Sequence, residues 1–260
     1  LLCVIPLLNV VAVSFSANSA ILAEKVTLWP VDFSLQSYQG IFSDKTMTWS
    51  LVYTAFITLL YTGIAMLLSV FAAYALTKRR LKGRKLFMTL IVITMYFGGG
   101  LIPDYLLVRD LKFIDTVWSL VLPGAMSIYN MIILKSFFSG LPESFEESAV
   151  MDGANEFQIL FRIVLPLSMP VLATISLFYA VGRWNGFMDA LFYITSPALY
   201  PIQLKLYQII VNSTALDVVI NEGAGNGSML LPEGIKAACV VFATIPIIMI
   251  YPWMQRHFVK

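Results

Sequence analysis

Leu141–Pro170 reads LPESFEESAVMDGANEFQILFRIVLPLSMP, a polar and acidic stretch in a chain that is otherwise strongly apolar. Glu143, Glu146, Glu147, Asp152 and Glu156 crowd its first half. The pattern predicts two short helices with a turn between them. Pro142 suits a helix start, because it lacks the N–H that a first turn leaves unpaired. Asp152-Gly153 closes the first helix, since Gly adopts the left-handed conformation common at helix ends. Asn155 then caps the second. Phe145 and Ala149 share one face of the first helix, and Phe157, Leu160, Phe161 and Val164 repeat at helical spacing on the second. Such a hairpin can lie along a membrane surface with one face in its own protein and the other offered to a partner.

The rest of the chain sets the class. It has 260 residues, 59% hydrophobic and 12% charged, with a mean hydropathy of +0.82. Soluble domains carry about twice that charged fraction. The net charge of +2 gives no argument for nucleic acid. Cys3 and Cys239 sit in apolar runs as buried thiols, and His257 is the one histidine, so no metal set is expected. No catalytic nucleophile stands out, and no Gly-Lys-Ser/Thr phosphate loop occurs.

Six apolar segments are read as spans: Leu1–Leu22, Leu51–Thr77, Leu86–Val108, Thr116–Phe138, Leu167–Ile194 and Ile235–Trp253. The first is read as having lost a cytoplasmic lead-in rather than as a signal peptide. Ala23–Ser50 is an external loop, with Trp29 and Trp49 at headgroup level. Small residues in the second span, Gly63 to Ala75, permit close helix approach. Gly98-Gly99-Gly100 and Pro103 weaken the third span, and Pro123-Gly124 interrupts the fourth. Lys78-Arg79-Arg80-Leu81-Lys82-Gly83-Arg84-Lys85 holds six basic residues in eight positions. Between two spans this run marks the cytoplasmic side rather than a nucleic-acid patch. The 141–166 stretch follows two spans later, on the same side. Residues 195–234 form a long external loop, with a short helix near Ile202–Val211 and a flexible Glu222–Ser228. The chain is thus expected to be an all-α integral membrane protein, with six transmembrane helices and both termini cytoplasmic.

The fifth span carries Tyr179-Ala180-Val181-Gly182-Arg183-Trp184-Asn185. Charged groups inside a span face protein or a water-filled cavity, and aromatic faces with amides suit a sugar. Tyr179, Arg183, Trp184 and Asn185, with Asn130 of the fourth span, are candidate pathway residues. The other reading is an Arg183–Asp189 salt bridge or polar packing at a subunit interface.

Glu147-Ser148-Ala149, three residues, Gly153, nine residues, then Ile163-Val164-Leu165-Pro166 resembles the EAA loop of ABC-importer permeases, E-A-A, three residues, G, nine residues, I-x-L-P. Ser148 for the second Ala is the one departure. MYFGGGLIPDYLLVRDL, LPGAMSIYNMIILKSFF and FYAVGRWNGFMDALFYI further resemble the maltose-type carbohydrate permeases, and among them importers of complex oligosaccharides and polysaccharide fragments such as alginate. The resemblance covers nearly the whole chain and implies one permease domain over 1–260 with a cytoplasmic coupling loop at 141–166. Its coupling residues would be Phe145, Glu147, Ser148, Ala149, Asp152, Gly153, Ile163, Leu165 and Pro166. Glu147 would supply charge, Ala149 and Phe145 packing, and Gly153 the turn. The implied partners are a second, homologous permease in a heterodimer, two ATPase subunits that hold ATP and Mg, an extracytoplasmic solute-binding protein and an oligosaccharide. Asn221, Gly225 and Asn226 would face the binding protein. An Arg at 183 could pair with a uronate carboxylate. The implied setting is the bacterial cytoplasmic (inner) membrane. The remaining classes are an ion-coupled secondary transporter, for which Asp189 is the sole candidate coupling carboxylate in a span, and an intramembrane enzyme.

Overall fold

Helix breaks, more than helices, give this chain its architecture. The structure, a computed structural model, describes residues 4–221 and 233–258. Their elements in chain order are α1 (Val4–Ser14), α2 (Asn18–Leu22), α3 (Gln36–Ser43), α4 (Lys45–Thr77), α5 (Arg84–Tyr96), α6 (Leu101–Asp110), α7 (Val117–Val121) and α8 (Ile128–Ser139). There follow α9 (Glu143–Met151), α10 (Glu156–Ile159), a π turn (Leu160–Val164), α11 (Leu165–Leu167), α12 (Met169–Asn185), α13 (Met188–Tyr193), α14 (Ile202–Asn221) and α15 (Glu233–Phe258). Among the described residues the only extended pairing is an isolated bridge from Ser16 to Phe33.

The chain divides into two compact units, Leu1–Ala55 with Gly186–Tyr251, and Phe56–Asn185 with Pro252–Lys260. In the first, Ile41, Met47, Ile202, Leu206, Cys239 and Phe242 form the buried core. Trp49 Nε1 donates to the Ala198 carbonyl at 2.8 Å, and the Ile202 N–H donates to Thr54 Oγ1 at 2.8 Å. A Cβ on Gly234 would lie 2.8 Å from Ser37 Oγ and 3.1 Å from Ile21 Cδ1, so only Gly lets α15 approach so closely. Cys239 is a buried free thiol; Cys3 lies outside the described residues.

In the second unit, Ala65, Val70, Ala73, Met131, Leu134 and Ile175 join Ala149, Ile159, Leu160 and Val164 in one core. Of the small residues of α4, Ala65, Ser69 and Ala73 are buried and mark where its neighbours close in, whereas Gly63 has no atom within 4 Å of a Cβ position and Ala75 is exposed, so these two permit no close approach within this chain.

Several expected spans are shorter or more broken than the hydropathy suggests. One helix among the described residues, α4 with 33 residues, is long and apolar enough to cross a bilayer alone. At 1.5 Å per residue it is about 50 Å long, against a hydrocarbon core of about 30 Å, so its ends project. It begins at Lys45 rather than Leu51, because Asp44 Oδ1 accepts the Thr46 N–H at 2.8 Å and starts the helix within the presumed loop. That loop also contains α3.

The segment read as the first span is interrupted after Ser14. Ser14 Oγ donates to the Val11 carbonyl at 2.7 Å and Ser16 Oγ to the Ala12 carbonyl at 2.7 Å, local bonds that compete with the helix ladder. The segment read as the third span is the pair α5 and α6, bent by 114° at the three glycines, where Gly100 takes φ +89°. The fourth is split into α7 and α8 around Pro123-Gly124. The fifth starts at an 85° bend between Glu156–Leu167 and α12, and its helix stops at Asn185 instead of running on to Ile194. Conversely, the expected loop 195–234 is helical from Ile202 to Asn221, ten residues beyond the short helix anticipated there, for a total of 20 residues. Ile202, Leu206 and Ile209 recur at helical spacing and pack into the first unit's core. Gly225 and Asn226 lie outside the described residues, and Asn221 ends α14.

Candidate functional site

The hairpin closes as its residues dictate. Gly153 has φ +78°; its N–H donates to the Val150 carbonyl at 3.0 Å and the Ala154 N–H to the Ala149 carbonyl at 2.9 Å. These two bonds make a Schellman ending for α9. Asn155 Oδ1 then accepts the Gln158 N–H at 2.9 Å, while Gln158 Oε1 accepts the Asn155 N–H at 2.9 Å. That reciprocal pair is a capping box. The turn is therefore built from its own residues.

The basic run and the acidic hairpin meet. Arg79 Nη2 lies 2.7 Å from Glu143 and Arg80 Nη2 2.5 Å from Glu156 Oε1. Lys78 pairs with Glu146 and lies 2.8 Å from Glu156 Oε2. Its ammonium also stands 4.2 Å from the centre of the Tyr74 ring, and the Tyr74 hydroxyl donates to Glu156 Oε2 at 2.8 Å. A cleft of about 720 Å³ opens here, bordered by Lys78, Arg84, Phe138, Glu147, Val150 and Ile163 among others. Hydrogen bonding to Lys78 is the largest influence on Glu156; with help from Tyr74 and Arg80 it outweighs partial burial and lowers the carboxyl below its usual pKa. Burial opposes the charge on Lys78, but hydrogen bonds to Glu146, Glu156 and Tyr74 prevail and raise its pKa. In the sequence the basic run marks only sidedness; its pairing with the acidic hairpin, some 60 to 80 residues away, has no local sequence signature.

The expected coupling residues divide by exposure. Glu147, Ser148, Asp152, Gly153 and Pro166 are exposed, and Phe145 is about half exposed. Ala149 is buried in the chain's own core, so its packing is internal, and Ile163 and Leu165 pack against the same core. Phe157, one of the residues the helical spacing picks out, is 66% exposed, and Met151 at the tip, which the spacing does not pick out, is 87% exposed; together they carry apolar surface. A residue flanking a predicted turn was the available signal for Met151.

The five pathway candidates lie in the second unit. Tyr179 is buried; its hydroxyl is 2.6 Å from Ser69 Oγ and accepts the Ser127 N–H at 3.0 Å. Arg183 is buried and donates through Nη1 to the Leu120 carbonyl at 2.9 Å. Tyr61 donates to the Gly124 carbonyl at 2.6 Å. These three side chains thus satisfy backbone groups freed where α7 gives way to α8, as a broken helix in an apolar setting requires. Trp184 and Asn130 are buried, and Asn130 sits in the first turn of α8, its N–H on Ser127 Oγ at 3.3 Å. Asn185 is exposed, with Nδ2 on the Val181 carbonyl at 3.0 Å. Among the described residues no group of three metal-ligating side chains comes together.

A helical chain with a self-closed acidic hairpin and gapped apolar helices is a transport permease in outline. Residues 65–260 match the family of binding-protein-dependent transport system inner membrane components, and the chain belongs to it. It is an integral inner-membrane transport subunit of the ABC-importer class, not an enzyme. It is 45% identical over its whole length, and over 91% of the relative, to the polygalacturonan/rhamnogalacturonan transport system permease protein YtcP of Bacillus subtilis (strain 168). Protein LplC of the same organism is 42% identical over 99% of this chain and 86% of that one. Among solved structures, a bacterial ABC transporter involved in the import of the acidic polysaccharide alginate matches with a TM-score of 0.89 and 32% identity, over 98% of this chain and 91% of that chain.

Proposed function

We propose that the chain is one of two different permeases in an ATP-driven importer that moves an acidic oligosaccharide or polysaccharide fragment across the cytoplasmic membrane by alternating access. The observation that carries this reading is end-to-end likeness to a polygalacturonan/rhamnogalacturonan permease, joined to the likeness in fold to an importer of an acidic polysaccharide. Both substrates are rich in sugar carboxylates. An ion-coupled secondary transporter has no support among these relatives.

In this reading the apolar segments make six spans, with each broken pair counted once, and both termini are cytoplasmic. The loop 141–166 is then cytoplasmic, as the basic run 78–85 on its flank supports. Two ATPase subunits dock below the permeases and hold ATP and Mg. Glu147 and Asp152 offer the docking groove unsatisfied charge, and Met151, Phe145 and Phe157 offer apolar contact. Closure of the ATPase dimer moves the hairpin, and the pathway opens outward to a loaded binding protein. Asn221, Gly225 and Asn226 are retained as the binding-protein contact, and Asn185, the exposed member of its group, as the first candidate to meet sugar.

The test is reconstitution in liposomes with the second permease, the ATPase and the binding protein. ATP-driven uptake of trigalacturonate, exceeding that of a neutral trisaccharide, is expected. Uptake that ignores ATP, or preference for the neutral sugar, would overturn the mechanism or the substrate class respectively.

A further inference from the structure

Three cations follow α4, and they are not equivalent. The side chains of Arg79 and Arg80 are 81% and 78% exposed, whereas that of Lys78 is 15% exposed. Exposed pairs are screened and contribute little. Lys78 is the sheltered one, and it makes the more connected set of contacts. Glu146 belongs to α9 and Glu156 to α10, so this single ammonium bridges both arms of the hairpin. Tyr74, one turn earlier on α4, faces the same ammonium with its ring and holds Glu156 with its hydroxyl.

The apolar contacts beneath the hairpin, through Ala149, Ile159, Leu160 and Val164, are close-packed but non-directional. Contacts of that kind resist separation more than sliding. The Lys78 ammonium adds to that packing charge-assisted contacts between particular side chains, two carboxylates and an aromatic face. It joins the two hairpin arms to the end of the 33-residue α4, whose residues from Phe56 onward belong to the second unit.

We propose that Lys78 is the positioning residue through which displacement of the hairpin becomes displacement of α4. This rests on the reading of 141–166 as the coupling loop. Tyr74, Glu146 and Glu156 complete the joint; Arg79 and Arg80 are peripheral to it. Loss of the joint lets the hairpin follow the ATPase while α4 lags, so that ATP is hydrolysed with less sugar moved.

The experiment uses the assembled importer in liposomes, with sugar taken up and ATP hydrolysed measured together. Lys78→Met lowers sugar moved per ATP by about fivefold or more, the lower end of usual couplings between sites, while hydrolysis stays responsive to the loaded binding protein. Lys78→Arg restores most of the ratio. A general loss of structure would instead lower uptake and hydrolysis in parallel, and that result, or an unchanged ratio in Lys78→Met, overturns the proposal. Should Lys78→Met fail to assemble, the milder pair Tyr74→Phe with Glu146→Gln replaces it; a lowered ratio there supports the joint and an unchanged one overturns it. Met151→Asp, at the tip, separates the two readings. It is expected to blunt hydrolysis itself; if it alters neither uptake nor hydrolysis, the coupling-loop reading fails and takes the joint with it.

Discussion

Lys78 Nζ and Glu156 Oε2 meet at 2.8 Å, joining the basic stretch after the long helix to the second arm of the acidic hairpin. The contact turns two features that look separate in sequence into one assembly. Three of the hairpin's five acids, Glu143, Glu146 and Glu156, are paired internally with Lys78, Arg79 and Arg80, which leaves Glu147 and Asp152 to face outward.

The pair is pH-sensitive in a definite direction. Glu156 has a lowered pKa when folded, chiefly through Lys78. Its stabilisation is therefore complete above the ordinary value of about 4.5 and is lost as pH falls through the lower, folded value. Carbon NMR of labelled glutamate carboxyls should give Glu156 a midpoint below the ordinary value of about 4.5, and Lys78→Met should move it upward.

Reversal of the outward charge, Glu147→Lys, is expected to leave the permease folded, because Glu147 is exposed and forms no ion pair among the described residues. Stimulation of ATP hydrolysis by loaded binding protein should drop by about tenfold, within the range of couplings between distant sites. Full stimulation in this variant would remove Glu147 from the docking surface.

Gly153→Ala tests the turn alone. No atom lies within 4 Å of the Cβ position, so the cost is conformational, at φ +78°. It should be about 1–2 kcal/mol, the usual left-handed penalty. Thermal unfolding in detergent should register that loss, with Gly153→Asn milder than Gly153→Ala.

Tyr179→Phe removes the hydroxyl that links Ser69 and Ser127. Two buried polar groups lose a partner, and stability should fall by about 1–3 kcal/mol, read from unfolding in detergent. The KM for sugar should stay within twofold, roughly, since the hydroxyl is consumed by protein. A large KM change with unaltered stability would return Tyr179 to the substrate path.

Asn185→Ala and Trp184→Ala separate pathway from packing. Asn185 is exposed, so its loss should raise KM at unchanged stability if it meets sugar. Trp184 is 6% exposed, and truncation should cost about 3–5 kcal/mol through a cavity. Transport loss in Trp184→Ala is therefore uninformative without an unfolding measurement, whereas unaltered KM in Asn185→Ala would clear that residue.

The hairpin was legible because each of its signals is local. Pro142, Asp152-Gly153 and Asn155 act within four residues of themselves, through backbone groups that need a partner wherever the chain sits. The breaks at Gly98–Gly100 and Pro123-Gly124 were legible for the same reason. The lengths of the helices were not. Hydropathy merges α7 with α8 and runs α12 on to Ile194, because it measures affinity for the membrane and not continuity of hydrogen bonding. The buried state of Arg183 could be anticipated, but not its partner, a carbonyl released by a break in another helix.

A helical membrane chain with an acidic knuckle can be read straight from the order of residues, since apolar composition, turn residues and motif spacing depend on neighbours in the chain. Folding sets which acids are available to a partner and which are held by Lys78, Arg79 and Arg80. It likewise decides that Ala149 faces inward, that Met151 faces outward, and that Tyr179 and Arg183 mend a broken span. Those outcomes depend on which distant groups meet, and charge or polarity along a chain carries no record of the partner that will neutralise it.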